Sequence, residues 1–174
     1  RDDFLVAPCN ADATAWIDRW PEWKTLVVHG GAGCGKSHLG AVWQAQADAN
    51  ILLPEHLAAN RPEDLAGSGG LILDDADWGF SAAPPAFDQA ALLHLYNVHL
   101  GLGGSVLITA STPPARWSLS LADLGSRLRA IPAVEIGPPD DALLAAVMVK
   151  NFADRQLDVG ADVIGFLAAR LERS

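Results

Sequence analysis

The stretch "HGGAGCGKSHLG", residues 29–40, decides the fold. It meets the pattern G-x-x-x-x-G-K-[ST] at Gly30, Gly35, Lys36 and Ser37. The apolar, β-branched run "TLVVHG" leads into it and predicts a buried strand, and apolar residues at helical spacing follow it. A glycine-rich loop between a strand and a helix is the setting in which this pattern binds the phosphates of a nucleotide.

Each residue type in this loop has a chemical reason to be there. Glycines allow backbone N–H groups to turn inward onto a phosphate, and the helix N-terminus adds its positive end. Lys36 would reach the β- and γ-phosphates, and the Ser37 hydroxyl would ligate Mg²⁺. A chance glycine-rich turn is the structural alternative, but the flanking strand and helix favour the phosphate site. The predicted nucleotide-binding residues of the loop are Gly30, Gly31, Ala32, Gly33, Cys34, Gly35, Lys36, Ser37 and His38.

Two acids follow the apolar strand "LIL" of the segment "LILDDAD", residues 71–77. A carboxylate at the carboxyl end of a strand beside a phosphate loop is well placed for Mg²⁺. Asp74 is therefore the predicted metal residue, and Asp75 is the predicted residue that orients or activates the attacking water. Paired acids after a strand can also be a solvated turn, and only the nearby phosphate loop favours the site.

Further candidates lie later in the chain. Ser111 ends the apolar run "SVLITAS" and is predicted to face the γ-phosphate from a neighbouring strand, with Thr109 as the alternative. A hydroxyl that satisfies the turn before two prolines is the structural interpretation of Ser111. Arg127, after a helical stretch, is predicted to project outward as an arginine finger for a neighbouring subunit's nucleotide. A solvated surface arginine is the alternative, and the same ambiguity holds for Arg170 and Arg173.

The order of the segments predicts an α/β fold. Apolar runs at residues 25–30, 49–54, 71–75, 105–111 and 133–137 alternate with helix-length segments, so we expect a parallel sheet covered by helices. "RPEDLAGSGG", residues 61–70, is typical of a loop. After Pro138 and Pro139 only helical patterns remain. The predicted domains are residues 1–137, a nucleotide-binding α/β domain, and residues 138–174, a small helical lid that is incomplete as given.

Composition limits the partners and the compartment. The 174 residues carry a formal net charge of −9, and the twelve Lys and Arg form no basic cluster, so direct binding of duplex DNA is not expected. No apolar run approaches the roughly 20 residues of a membrane helix. Two cysteines fall short of a disulfide framework and indicate a reducing cytosol. His94 and His99 lack metal-ligand spacing and are expected to be structural.

Together the motifs resemble the AAA+ module of the bacterial replication initiator DnaA and of its regulatory homologue Hda. "GGAGCGKSHLG" is similar to their phosphate loop, and "LILDDAD" to their double-aspartate strand. "LITASTPPARW" resembles the sensor 1 segment, "LGSRLRA" the element with the arginine finger, and "FLAARLERS" the lid helices that lead to the sensor 2 arginine. The tryptophan-rich "WIDRWPEW" and "PPARW" resemble alphaproteobacterial regulators.

The resemblance implies roles for individual residues. Lys36 and Ser37 bind phosphate and Mg²⁺, Asp74 holds the metal, Asp75 is the catalytic acid and Ser111 is sensor 1. The resemblance also bears on residues outside the phosphate loop and the acid pair. Arg127 matches the arginine finger, Arg173 and then Arg170 fit sensor 2, and the segment from Val6 to Asn10 approaches the adenine.

The implied function is regulation of replication initiation. Holding ADP or ATP with Mg²⁺, such a regulator packs against ATP-bound DnaA, supplies the finger in trans and switches the initiator off by hydrolysis. A segment before residue 1 would dock on the DNA polymerase sliding clamp, and the chain itself would hydrolyse ATP slowly at most. Three alternatives stay open: an autonomous AAA+ ATPase or helicase loader that forms homo-oligomers, an AAA+ fragment of the initiator, and a small nucleotide kinase.

Overall fold

A five-stranded parallel sheet forms the centre of the protein, as the sequence predicts. The computed structural model describes residues 4–82, 84–160, 163–164 and 167. The strands lie in the order β2-β3-β4-β1-β5, so β1, which leads into the phosphate loop, has a neighbour on each side. Their bounds are β1 Thr25–Gly30, β2 Asn50–Ile51, β3 Gly70–Leu73, β4 Ser105–Ala110 and β5 Ala133–Ile136.

Helices connect the strands and cover both faces of the sheet, which a parallel sheet requires. The helices of the described residues are α1 Ala11–Asp18, α2 Lys36–Ala47, α3 Pro54–Ala59, α4 Pro62–Leu65, α5 Ala76–Ser81, α6 Gln89–Gly101, α7 Ala122–Arg129 and α8 Asp141–Asp154, with a 3₁₀ turn at Pro114–Arg116. Asp88 caps α6 by accepting hydrogen bonds from the amides of Ala90 and Ala91, and Asp140 caps α8 through the amide of Leu143.

The core consists of two apolar clusters, one on each face of the sheet. Alternate residues of β1 point to opposite faces, so Val27 belongs to one cluster and Val28 to the other. The first cluster includes Leu95 of α6 and Leu124 of α7. The second includes Trp43 of α2, which stacks on Trp23 with ring centroids 5.4 Å apart. Packing on both faces holds the strand ends rigidly in place.

The sequence interpretation is wrong at three points. The predicted second strand, residues 49–54, is confined to Asn50–Ile51, because Pro54 begins α3. Residues 61–70 are not a continuous loop, because Pro62 starts the short helix α4 and Gly70 already begins β3. Proline is well suited to the first turn of a helix, where no N–H donor is needed. Arg127 lies within α7 and does not follow it.

The described part of residues 138–174 begins with α8, which follows the two prolines as expected. Its division from the preceding α/β domain stays a prediction. Within the described ranges, no helix is long and apolar enough to cross a membrane.

Candidate nucleotide-binding site

The register of the sheet brings three candidate segments to one edge. His29 of β1 pairs with Ala110 of β4, so the phosphate loop and Ser111 leave adjacent strands side by side. Leu73 of β3 pairs with Ile108, which places the two acids beside the end of β4. Ligands in open parallel sheets bind at this carboxyl edge.

Backbone geometry explains the glycines of the loop. A Cβ on Gly30 would overlap the carbonyl oxygen of Ile136 and lie 2.8 Å from the Cys34 Sγ atom. Gly33 and Gly35 have φ angles of +70° and +102°, in the region that favours glycine. Gly31 is different, since a Cβ there would meet nothing within 4 Å.

The start of α2 offers unpaired donors and a buried cation. The backbone amides of Lys36, Ser37 and His38 have no hydrogen-bond partner among the described residues. Lys36 is 7 % exposed, and its Nζ atom donates to the carbonyls of Gly30 and Gly31, both at 2.9 Å. An anion at this point would satisfy the free amides and face the lysine charge, so the loop fits a phosphate group.

A threonine connects the two acids to β4. The hydroxyl of Thr109, a fully buried residue, donates a short hydrogen bond to Asp74 Oδ1. The same hydroxyl accepts a hydrogen bond from the amide of Asp75 at 2.9 Å. Both aspartates remain exposed at the sheet edge. Thr109 therefore holds the acid pair, whereas Ser111 is exposed just beyond the end of β4.

Asp77 is a site residue that the sequence analysis missed. Its carboxylate accepts hydrogen bonds from the amide of Ser111 at 3.0 and 3.1 Å, and from both the amide and the hydroxyl of Thr112 at 2.9 Å. The carboxylate thus fixes the backbone of the predicted sensor residue. In the sequence, the only feature that could have indicated a role for Asp77 is its place in the acidic run "DDAD".

A cavity of about 430 Å³ opens next to the loop. The N-terminal segment, the loop and α8 all contribute to its wall. The lining includes Phe4, Leu5, Asn10, Gly33, Cys34, Gly35, His38, Leu143, Leu144 and Val147. Its size and its partly apolar lining suit a planar ring system.

Part of the N-terminal segment lines this cavity, and its predicted approach to the adenine stays a prediction. Asn10 is buried and shapes the segment, because its side chain accepts from the amide of Ala7 and donates to the carbonyl of Leu5. Val6 is 61 % exposed and lines a separate cavity between α1 and α2. Phe4 was not predicted; it meets the His38 ring edge-on at 5.2 Å.

His29 lies directly before the loop and is half-buried between β4 and β5. Burial lowers its pKa, and Arg116 lowers it further, while Glu135 has the opposite effect. The lowered pKa favours the neutral form of the His29 imidazole. The positive charge at the phosphate loop therefore comes from Lys36.

Mg²⁺ has suitable donors here. The Ser37 hydroxyl and the Asp74 carboxylate offer the oxygen ligands that Mg²⁺ prefers. In the described part of the chain, no group of three or more His, Cys, Asp or Glu converges on one point. Nucleotide oxygens and water would therefore complete the coordination.

Arg127 lies far from this site. It is exposed on α7 and lines an open cavity of about 630 Å³ together with Lys24, Thr25 and Pro132. Thr25 is the first residue of β1, whereas the phosphate loop follows the last, roughly 17 Å away at 3.3 Å per residue. Among the described residues the Arg127 guanidinium has no hydrogen-bond or ion-pair partner. Arg170 and Arg173 lie outside the described residues.

The fold, with its phosphate loop, can be compared with known structures. The sheet with its flanking helices is that of a P-loop AAA+ module. It matches domain III of the Thermotoga maritima replication initiation protein DnaA with a TM-score of 0.78 at 20% identity, covering 96% of this chain and 78% of that one. The AMPPCP-bound DnaA from Aquifex aeolicus gives a TM-score of 0.79 at 19% identity, covering 99% and 60%.

The sequence is similar to the same initiator. It is 28% identical to DnaA of Thermomicrobium roseum over 196 residues, covering 98% of this chain and 41% of the relative. It is 29% identical to DnaA of Sphingopyxis alaskensis over 199 residues, covering 99% and 43%. The chain thus spans about two-fifths of the length of these relatives. No known family profile matches it.

Proposed function

We propose that this chain is an adenine-nucleotide-binding AAA+ regulator of replication initiation that acts on the nucleotide of an adjacent DnaA subunit. The main support for this proposal is the position of Arg127. Its side chain is exposed, has no partner among the described residues, and lies at the opposite end of β1 from the chain's own phosphate loop. From there the guanidinium can serve only a nucleotide held by another subunit.

The chain's own site would hold ADP or ATP. The amides at the start of α2 and the Lys36 ammonium would bind the phosphates, and Ser37 with Asp74 would hold Mg²⁺. The cavity beside Phe4 and His38 would take the base. The similar Aquifex DnaA is AMPPCP-bound, which supports an adenine nucleotide as the ligand. Asp75 would orient water, and Ser111 would face the γ-phosphate.

The reaction would take place in the partner. When negative charge redistributes on the transferring phosphoryl group, a guanidinium supplied in trans stabilises the transition state, an effect of roughly 10³–10⁵ in rate in GTPase systems. DnaA-bound ATP would become ADP, and the initiator would be switched off. A segment before residue 1 would dock on the DNA polymerase sliding clamp and bring the regulator to DNA, since a net charge of −9 opposes direct duplex binding.

A second candidate is the AAA+ portion of an initiator itself. The curated relatives reported above are initiators, and the chain covers only about two-fifths of each. Arg127 would then act between identical copies in a homo-oligomer. An autonomous ATPase would act in the same geometry but would turn over ATP on its own.

The test measures hydrolysis by ATP-loaded DnaA, with clamp on DNA, with and without the full-length protein that contains this chain. We expect stimulation that Arg127→Ala abolishes and that Arg129→Ala, an exposed arginine of the same helix, preserves. Stimulation that survives Arg127→Ala would refute the finger. If the protein did not stimulate DnaA but hydrolysed ATP by itself, at a specific rate that rose with its own concentration, it would instead be a self-assembling ATPase or initiator.

A further inference from the structure

We propose that Asp77 is a positioning residue that sets the loop after β4 for recognition of the γ-phosphate. This inference rests on the proposed function, because it assigns to the same nucleotide site the part that distinguishes triphosphate from diphosphate. Asp77 touches no reacting atom and would act through Ser111.

The carboxylate of Asp77 accepts a hydrogen bond from the amide of its neighbour Trp78 at 3.2 Å, and its other bonds go to two residues of the loop. Its two carboxylate oxygens accept the amide of Ser111 and the amide and hydroxyl of Thr112, at 2.9 to 3.1 Å. Hydrogen bonds to an ionised carboxylate are stronger than those between neutral groups. The carboxylate therefore holds consecutive residues of the loop in one backbone conformation.

A second contact fixes the same loop through the carbonyl of Thr112. The indole N–H of Trp117 donates to the carbonyl of Thr112 at 2.8 Å. Trp117 is buried and lies 5.5 Å from the ring of Phe80, a residue of α5. The helix that carries Asp77 therefore anchors the loop both through its carboxylate and through its apolar face.

The anchor begins at the catalytic acids. Asp75 is the residue before α5 and adopts a left-handed conformation with φ +47° and ψ +45°. Asp77 follows two residues later, in the first turn of α5, so the carboxylate that binds Ser111 lies close in the chain to Asp75. Thr109 forms a parallel link from Asp74 to β4. Together the two links join the acids and the loop after β4 into one unit at the edge where the γ-phosphate would bind.

Loss of this anchor is expected to affect the triphosphate selectively. The loop and α2 that bind the α- and β-phosphates do not depend on Asp77, so ADP binding should remain. Without the Asp77 carboxylate, the loop after β4 would sample many backbone conformations. Binding of the γ-phosphate would then have to restrict the loop to one of them. The affinity for triphosphate should fall because of that ordering cost.

The experiment compares ADP and AMPPCP binding by calorimetry in the wild type and three variants. For Asp77→Ala we expect AMPPCP to bind about tenfold more weakly, the loss of roughly one charge-assisted hydrogen bond, while ADP affinity stays within about twofold. Asp77→Asn keeps an acceptor oxygen and should be intermediate. Asp64→Ala, which removes an exposed acid from α4, should match the wild type.

Hydrogen exchange of the Ser111 and Thr112 amides, measured without nucleotide, supplies the second readout. Faster exchange in Asp77→Ala but not in Asp64→Ala is expected. Unchanged exchange, or faster exchange with unaltered AMPPCP affinity, would overturn the positioning role while leaving nucleotide binding intact. A wild type that binds neither nucleotide would instead refute the proposed function and this inference together, with folding verified by the exchange pattern.

Discussion

The two ends of the parallel sheet differ in how many polar groups they leave without a partner in the described structure. At the amino end, polar side chains bind one another and the backbone: the indole of Trp20 donates to the Ser105 hydroxyl at 3.2 Å, and the Thr25 and Tyr96 hydroxyls lie 3.1 Å apart. At the carboxyl end, the amides of α2 have no partners among the described residues, and Asp74 is exposed.

His99 illustrates the amino end most fully. This buried imidazole accepts a hydrogen bond from the amide of Gly67 and donates one to the carbonyl of Ser105, both at 3.2 Å. It thereby ties the segment before β3 to the first residue of β4. Every polar atom of the ring is used for structure.

The difference separates stability from function within one sheet. Groups satisfied inside the protein stabilise the fold, whereas unsatisfied groups are available to a ligand. Arg127 is the exception that the comparison exposes, because it lies at the amino end and is unpaired in the described structure. The proposed role of Arg127, toward a nucleotide held by another subunit, would account for an unpaired cation at this end.

The largest effect is expected at the carboxyl end, for Lys36→Ala. Loss of the charged group that faces the phosphates should weaken ATP and ADP binding by about 10- to 100-fold, since hydrogen bonds to charged groups contribute about 1.5–3 kcal/mol. Calorimetry measures the affinities. Lys24→Ala is the control, because Lys24 binds the Gly103 carbonyl at the other end. Equal losses of nucleotide affinity in Lys36→Ala and Lys24→Ala would contradict the assignment of nucleotide binding to the carboxyl end of the sheet.

The second prediction concerns the shape of the phosphate loop. Gly30→Ala should lower the free energy of unfolding by about 1–3 kcal/mol, the usual effect of overpacking, because the new Cβ would meet the Ile136 carbonyl. Gly31→Ala has open space and should change it by less than about 0.5 kcal/mol. Urea unfolding gives both values. A harmless Gly30→Ala would show that the loop is not held against β5.

Local patterns predicted much of this architecture. The five strands, the phosphate loop and the acids at the sheet edge follow from apolar runs and from the spacing of glycine, lysine and aspartate. A parallel sheet then brings those strand ends together. The α4 helix was missed because Gly and Ser around it outweighed the helix-starting role of Pro62.

What could not be predicted depends on contacts between distant segments. Asp77 binds residues 34 and 35 positions later in the chain, and no local pattern indicates that pairing. Phe4 enters the site only because the N-terminal segment packs beside His38. Val6, in the same segment, faces another cavity, a difference that a single apolar run does not reveal.

The third prediction tests the amino end by pH. Burial lowers the pKa of His99 despite the opposing hydrogen bond to Ser105. The unfolded chain, with a histidine pKa near 6.5, then binds more protons than the folded one, so the free energy of unfolding falls as pH drops below about 6.5 toward the folded pKa. The contribution of His99 to the slope of the unfolding free energy against pH cannot exceed about 1.4 kcal/mol per pH unit.

His99→Gln should flatten this dependence while keeping a donor and an acceptor at the same position. Urea unfolding measured from about pH 5 to pH 8, the range in which histidine titrates, gives the slope of the unfolding free energy against pH. The pKa of His29 is also lowered by burial, so part of the slope should persist in the variant. His94→Gln, at an exposed site, is the control. A slope unaltered by His99→Gln would refute the structural role of the buried ring.

The smallest effect is expected for Tyr96→Phe. Removing the phenol hydroxyl leaves the Thr25 hydroxyl without this partner, so the free energy of unfolding should fall by about 1 kcal/mol. Adding Thr25→Val removes the orphaned group, and the double variant should be more stable than the sum of the single changes predicts. Nucleotide affinity should not change in any of them. If Tyr96→Phe weakened AMPPCP binding, the two ends would be coupled through β1, and Arg127, which lines the same cavity as Tyr96, would then sense the occupancy of its own subunit.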